Sequence, residues 1–229
     1  MKIKYVTLTG ADDNTKHEEL LRVSALYPFV EWGILFSQKK SGMAERYPSW
    51  DWVVDLAGKT NDEANFSAHL CGQWVDDAMN GKLTVQASFF KRLQLNMAQG
   101  RLSKALAPES KVWEAVTKVA QDVIFGGPYQ KYNLAVDTEL FSKNGVFPLF
   151  DTSGGRGQLT KNWPRPAEGV MCGYAGGLGP DNLEEELKKI EDVVGDSTIW
   201  IDMESRVRTN GEFDIALCER VCEIAGNYV

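Results

Sequence analysis

The sequence predicts a single α/β domain over residues 1–229, folded as a (β/α)8 barrel (a TIM barrel). Short apolar runs alternate with helical patterns along most of the chain, which is typical of parallel strands joined by helices. Eight of these runs have the length of a strand, and 229 residues is a usual size for a one-domain α/β barrel. No linker or low-complexity segment divides the chain. A doubly wound open sheet is the alternative fold.

The elements follow from local patterns. The eight strand candidates are 3–9, 32–37, 66–71, 92–96, 122–126, 146–152, 170–176 and 198–204. The clearest helix is predicted over 181–194, where Pro180 and Asp181 supply a start signal. Its apolar stripe recurs every three or four residues, as a helix packed on a sheet requires. A last helix is predicted over 214–225, with Cys218 and Cys222 on its core-facing side.

Composition narrows the classes of partner. The chain has 25 Lys and Arg against 32 Asp and Glu, a formal net charge of −7, which disfavours nucleic acid as the main partner. No apolar run is long enough to cross a membrane, and the N-terminus lacks the apolar core of a signal peptide. The four cysteines have neither Cys-x-x-Cys nor zinc spacing, so we expect a reduced cytoplasmic protein without metal or cofactor. The oligomeric state stays open.

In a barrel of this type, function gathers at the carboxyl ends of the strands. Asp151 ends the sixth strand candidate, where partial removal from water suits a carboxyl to general-acid chemistry. Gly176 and Gly177 end the seventh, before a helix. Glycines at such a turn allow backbone N–H groups to approach an anion, and the helix N-terminus attracts negative charge. The alternatives without a ligand are that Asp151 caps the next turn and that Gly176 and Gly177 form only a tight turn between strand and helix.

Three segments of the last third go beyond these patterns: LFDTSGGRG (149–157), GYAGGLGPDNL (173–183) and IDMESRVRTNGEFD (201–214). In this order and spacing they resemble the closing strands of phosphoribosylanthranilate isomerase, a (β/α)8 barrel of tryptophan biosynthesis. Thinner matches lie at 6–13, 33–48 and 93–96, so the resemblance covers about half of the chain. It implies the barrel fold and a small anionic ligand such as a phosphosugar or a nucleotide.

The resemblance also implies roles for individual residues. Asp151 matches the family's general acid, which protonates the ribose ring oxygen, and Arg46 matches the arginine that holds the anthranilate carboxylate. The glycine turn at Gly176 and Gly177, together with Ser205, matches the phosphate-binding end. Two further arginines of the candidate ligand site, Arg156 and Arg206, stand where the family pattern has small residues. Trp163 follows the glycine-rich loop and is a candidate for stacking on a ligand ring.

The chain departs from the family at two of these positions. Thr9 stands where the family has its catalytic cysteine, and a threonine hydroxyl cannot serve as a base near neutral pH. Glu204 replaces the first serine of the phosphate-binding strand end, and its carboxylate would repel a phosphate unless Arg206 pairs with it or the ligand is less anionic. Two residues are candidates for a replacement base. Cys71 would be activated by His69 if their shared strand face points into the barrel mouth; the alternative is a buried, inert Cys beside a core His. Glu204 would pair with Asp151 as acid and base.

Two functions are therefore expected. The first is an isomerase or a related proton-transfer enzyme of the aldose–ketose type, with Asp151, Cys71 and Glu204 as its catalytic candidates. It would act on a phosphorylated or anionic sugar derivative but would not perform the tryptophan-pathway reaction. The second is a non-catalytic sensor or sequestering protein that binds a nucleotide or phosphosugar in the same cavity. Its ligand contacts would be those proposed for the enzyme.

Overall fold

The computed structural model describes residues 1–60, 64–79, 89–96, 133–137, 147–151, 156–166 and 171–229. In this part of the chain no helix is long and apolar enough to cross a membrane. The sheet strands are β1 (Lys2–Thr9), β2 (Val30–Phe36), β3 (Asn65–Cys71), β4 (Arg92–Asn96), β5 (Asn133–Asp137), β6 (Phe147–Asp151), β7 (Cys172–Ala175) and β8 (Thr198–Met203). The α-helices are α1 (His17–Leu26), α2 (Trp50–Lys59), α3 (Gln73–Met79), α4 (Leu183–Val194) and α5 (Ile215–Ala225).

The strands form one curled sheet with the connectivity of an α/β barrel. Each strand pairs with the next, and β8 pairs in parallel with β1, for example through Val6 and Ile201. Among the described residues seven strands run parallel, while β5 runs antiparallel to both β4 and β6. A regular repeat of eight parallel strands is therefore not what the structure shows, although the α/β sheet itself is confirmed. The predicted strand 122–126 lies outside the described residues.

The other predicted strands lie within two residues of their observed bounds, because each combines a short apolar run with polar ends. Two helix starts are explained by side-chain caps. Ser49 Oγ accepts a hydrogen bond from Trp52 N at the start of α2, and Asp214 accepts from the backbone of Ala216 and Leu217 at the start of α5. The helix predicted over 181–194 begins at Leu183.

The core between the sheet and the helices is apolar. Alternate residues of β2, such as Trp32 and Ile34, point outward and are fully buried under the helices. The predicted stripe of α4 and both cysteines of α5 are buried in this layer as well; these residues are Leu183, Leu187, Ile190, Val194, Cys218 and Cys222.

The interior of the barrel is polar by contrast. Inward-facing side chains from several strands exchange hydrogen bonds across it; they include Thr7, Thr9, Glu31, His69, Arg92, Gln94 and Asp202. All seven are less than a tenth exposed. A buried polar group is costly unless it is hydrogen-bonded, so this network is the natural place to look for function.

Candidate functional site at the carboxyl ends of the strands

Two buried carboxyl groups lie at the same level of the barrel. Asp151 at the end of β6 is in register with Ala175 on β7, and Ala175 is in register with Asp202 on β8. Because in-register residues of parallel strands point to the same side, both carboxyl groups face inward, with only a methyl group between them. At ordinary strand spacing their Cα atoms are roughly 10 Å apart. Asp151 and Asp202 are 6% and 8% exposed, respectively.

Asp202 is held by two neutral donors, one on the neighbouring strand β1 and one on β4 across the barrel. Thr9 Oγ1 donates to Asp202 Oδ1 at 2.9 Å, and Gln94 Nε2 donates to Asp202 Oδ2 at 3.3 Å. Burial raises the pKa of Asp202 to about 7, against the lowering effect of these two hydrogen bonds. The negative charge of Glu204 raises that pKa further. A carboxyl with a pKa near 7 can both accept and donate a proton at neutral pH.

The structure places Thr9 at the centre of this arrangement. Its side chain is 1% exposed and donates to Asp202, so the residue that matches the family's cysteine contacts a carboxyl group instead of acting as a base. The inward face of β2 is open beside it because residue 33 is glycine: a Cβ there would overlap Thr9 Oγ1. Thr9 and Asp202 can therefore pack closely.

The surroundings of Cys71 favour the alternative of a buried, inert thiol over activation by His69. Burial raises the pKa of the Cys71 thiol, and the amide of Asn96 donates a hydrogen bond to Sγ at 3.3 Å. Burial, aided by the charge of Arg92, lowers the pKa of His69 to about 3, so the imidazole is neutral and cannot stabilise a thiolate as a cation. Alternation along β3 does place both residues on one face, but desolvation decides their chemistry.

The mouth of the barrel is crossed by an ion pair. Arg46, in the loop after β2, places Nη1 2.6 Å from Glu204 Oε1 and 3.3 Å from Ser205 Oγ. Its backbone N–H donates to Asp12 Oδ2, and its φ of 74° is in the left-handed region. The structure thus pairs Glu204 with Arg46, whereas the sequence offered Arg206 as one partner that would allow a phosphate to bind. Arg206 is exposed and its aliphatic stem packs against the backbone of Gly179.

The glycine turn after β7 is shaped by packing. Gly176 and Gly177 have φ angles of 102° and 72°, and a Cβ on Gly177 would overlap the backbone of Leu159. Asn182 bridges this turn: its amide donates to Gly177 O and its Oδ1 accepts from Gly179 N, both at 2.9 Å. Replacement of Gly177 by a larger residue would therefore move the 158–159 backbone, so it is unsuitable as a clean test of ligand binding.

The remaining candidates lie around this turn. Arg156 is exposed, and the neighbouring Gly157 approaches Ser205, so the segments after β6 and β8 are in contact. The loop 152–155 lies outside the described residues. Trp163, the candidate for stacking on a ligand ring, is 8% exposed, donates from Nε1 to Glu186 Oε2 at 2.8 Å and packs edge-on against Tyr174.

Sequence reasoning missed Asp202 and Gln94, the two residues that define the interior of the site. Each is a polar residue inside a short apolar strand, in the runs TIWIDM and RLQLN. An ionisable residue in such a strand is itself a signal, because a buried charge needs a partner or a function. Among the described residues, no group of three or more His, Cys, Asp or Glu side chains is placed to hold a metal ion.

The fold and the mouth geometry define an α/β barrel protein with a buried acid pair. No family model and no curated protein matches the chain. Among solved structures it is similar to phosphoribosyl anthranilate isomerase from Thermus thermophilus, with 13% identity, 99% of each chain covered and a TM-score of 0.55. The same enzyme from Thermococcus kodakaraensis gives 16% identity, 98% and 99% coverage and a TM-score of 0.48. The chain thus has the fold of phosphoribosyl anthranilate isomerase, as the resemblance predicted, at low identity.

Proposed function

We propose that this protein is a divergent relative of phosphoribosylanthranilate isomerase, a barrel of the (β/α)8 type, that catalyses proton transfer on a phosphorylated or otherwise anionic sugar derivative. One observation carries the proposal: Asp151 and Asp202 face the interior in one row, on either side of Ala175, at the catalytic end of the barrel. Paired carboxyl groups at such a place are suited to acid–base catalysis. The glycine turn, Ser205 and Arg206 supply the proposed phosphate end.

The two carboxyl groups would divide the work of an aldose–ketose isomerisation. Asp202, as a carboxylate, accepts the proton from the carbon next to the carbonyl, and Asp151, as the proposed general acid, donates a proton to the carbonyl oxygen, which gives an enediol. Asp202 then returns its proton to the former carbonyl carbon. The hydroxyl on the neighbouring carbon gives its proton back to Asp151. Both carboxyl groups end in their starting states, and no oxidant or cofactor takes part.

We do not expect the tryptophan-pathway reaction from this site. The residue that matches the family's base is Thr9, whose hydroxyl donates to Asp202. The residue that matches the anthranilate-binding arginine is Arg46, which pairs with Glu204. We therefore predict that the gene will not rescue a tryptophan-requiring strain that lacks its own isomerase; growth of that strain without tryptophan would contradict this part of the proposal.

Isotope exchange tests the proton transfer without knowledge of the product. The protein is incubated in D2O with ribose 5-phosphate and other aldose phosphates, and NMR follows the loss of the C2 proton signal. We expect exchange with one or more of these probes, reduced about 100-fold or more in Asp151→Asn and Asp202→Asn. Asp181→Asn, which alters an exposed carboxylate paired with Arg220, is the control and should keep full activity. Binding without exchange would contradict catalysis.

The second candidate function, non-catalytic ligand binding, is favoured by the ion pair between Arg46 and Glu204, which occupies both side chains at the mouth. In that case a phosphosugar or nucleotide should stabilise the protein thermally and show no exchange. Asp151→Asn would then change affinity alone. For location we keep the cytoplasm as a proposal, since none of the four cysteines is in a disulfide, which fits a reducing compartment.

A further inference from the structure

The inward faces of β3 and β4 carry a cluster of buried polar atoms that lack hydrogen-bond partners within the described chain. They are Ser67 Oγ, His69 Nε2, Gln94 Oε1, and Nε and Nη1 of Arg92. Leaving such an atom unpaired is costly, because its lost hydration is not replaced, so native proteins usually pair it with water or a ligand. His69 is the informative member, because its side chain joins this cluster to the carboxyl group of Asp202.

The hydrogen bonds around Gln94 fix which nitrogen of His69 carries the proton. Gln94 Nε2 lies 3.3 Å from Asp202 Oδ2, 3.2 Å from Asn96 Oδ1 and 3.2 Å from His69 Nδ1. The carboxylate oxygen accepts, so the nitrogen of the Gln94 amide must be the atom that faces it. That nitrogen carries two hydrogens and cannot accept, so a hydrogen on Nδ1 of His69 would face it without a partner; Nδ1 therefore presents its lone pair, and the imidazole hydrogen is on Nε2.

The Nε2 edge of His69 faces the part of the barrel where Asp202 is held. A Cβ on Gly33 would lie 2.9 Å from both Nε2 and Cε1 of His69, and the same Cβ would overlap Thr9 Oγ1. The His69 edge and the Thr9 hydroxyl therefore meet above the bare backbone of Gly33. Since Thr9 donates to Asp202, the N–H of His69 lies beside the proposed base.

We propose that His69 donates a hydrogen bond from Nε2 to an oxygen atom of the bound ligand, with Gln94 as the residue that positions the imidazole. This inference rests on the proposed function: in the isomerisation, the oxygen is the carbonyl oxygen on which negative charge develops. A fixed donor aimed at that oxygen stabilises the transition state more than the ground state.

A neutral imidazole suits this role. The pKa of His69, lowered to about 3 mainly by burial, keeps the ring uncharged throughout the physiological range. A neutral N–H can polarise a carbonyl group without giving up its proton, as the neutral histidine of triosephosphate isomerase does. The proton chemistry then stays with the two carboxyl groups, and His69 acts only as a hydrogen-bond donor.

Imidazole NMR of the whole protein tests the inference, because the chain has only two histidines. The protein is labelled with ¹⁵N-histidine, and a His17→Gln variant assigns the signals. We expect the Nε2–H tautomer for His69 and no titration between pH 5 and 9. Addition of ribose 5-phosphate, or of the aldose phosphate that stabilises the protein most, should move the His69 Nε2–H resonance downfield and leave His17 unchanged.

Three results are distinguishable. A downfield shift on binding supports the inference. An Nδ1–H tautomer, or binding that leaves the His69 resonance in place, overturns it and leaves the proposed function standing. Failure of every aldose phosphate to bind or exchange overturns the proposed function, and this inference falls with it.

A pair of variants separates the hydrogen bond from packing. His69→Gln keeps an N–H donor near the position of Nε2, whereas His69→Leu removes it at similar volume. We expect His69→Leu to lower kcat for exchange at least tenfold, and His69→Gln to recover part of that loss. Equal activity of the two variants, at melting temperatures that show both are folded, would overturn the role of His69.

Discussion

Glu31 and Asp202 are two buried carboxylates inside one barrel, and their electrostatic surroundings differ. Glu31 Oε1 lies 2.8 Å from Arg92 Nη2 and accepts from Thr7 Oγ1 at 2.8 Å, and the Arg92 guanidinium stacks 4.6 Å from the ring of Trp200. Asp202 is held by hydrogen bonds from Thr9 and Gln94, which are both neutral. The first carboxylate is balanced by a cation in contact with it, and the second is not.

This difference indicates which buried charge is structural. The Arg92 guanidinium contacts Glu31 and balances its charge. The same guanidinium is held from another direction by stacking on the ring of Trp200. Neutral donors compensate only part of the desolvation of Asp202, and its pKa rises to about 7 as a result. The pair of Glu31 and Arg92 is therefore structural, and the carboxyl group of Asp202 is available for proton transfer.

The largest expected effect comes from breaking the balanced pair. Arg92→Met should destabilise the protein by about 3–5 kcal/mol, because it leaves Glu31 buried without its cation. The double variant Glu31→Leu/Arg92→Met should recover most of that loss, since no charge then remains buried. Urea unfolding of the two single variants and the double variant measures this. A loss below about 1 kcal/mol in Arg92→Met would show that the pair is not a structural unit.

The second effect is a pH dependence carried by Asp202. Its raised pKa means that the folded protein keeps a proton that the unfolded chain releases above about pH 4. This carboxyl group therefore lowers stability progressively as pH rises from about 4 to 7, and the loss is constant above 7. The unfolding free energy of the wild type, relative to Asp202→Asn, should fall by an amount on the order of 4 kcal/mol across that window.

Comparing the unfolding free energies of the wild type and Asp202→Asn isolates the effect of Asp202, because all other groups titrate equally in both proteins. The asparagine keeps Oδ1 as the acceptor for Thr9, and Gln94 can turn its free Oε1 toward the new amide. If the difference in unfolding free energy between the two proteins stays constant from pH 4 to pH 8, the surroundings of Asp202 stabilise its carboxylate fully, and the account is wrong. Glu31→Gln is the matched comparison, and it should destabilise the protein at pH 8.

The smallest expected effect concerns the ion pair at the mouth. Arg46 and Glu204 are each about one third exposed, so water and salt screen their attraction. A double-mutant cycle with Arg46→Ala and Glu204→Gln should give a coupling energy below about 1 kcal/mol, and lower still in 1 M salt. A coupling energy of several kcal/mol would mean that this exposed pair is as strong as the buried pair of Glu31 and Arg92. The account, in which solvent screens the pair at the mouth, would then be wrong.

Most of the fold was predictable, because strands such as β2 and β8 are short apolar runs with polar ends, and α4 has a strict apolar stripe. The antiparallel β5 was missed: NLAVD has no stronger strand signal than its surroundings, and its direction is set by its pairing with β4 and β6. In the site, Asp151 and Thr9 were found from the ends of their strands. Asp202 and the pair of Arg46 and Glu204 were not found, because contacts between residues far apart in the chain produce no regular spacing that the sequence could show.

A carboxyl titration of Asp202 tests the central claim most directly. The protein is labelled with ¹³C-aspartate, and the signal absent from Asp202→Asn identifies the residue. We expect its chemical shift to titrate with a midpoint near pH 7, and to respond when an aldose phosphate binds. A midpoint below about 5 would show that its neighbours stabilise the carboxylate fully, and Asp202 would then be a structural group like Glu31 and could not exchange protons with a ligand near neutral pH.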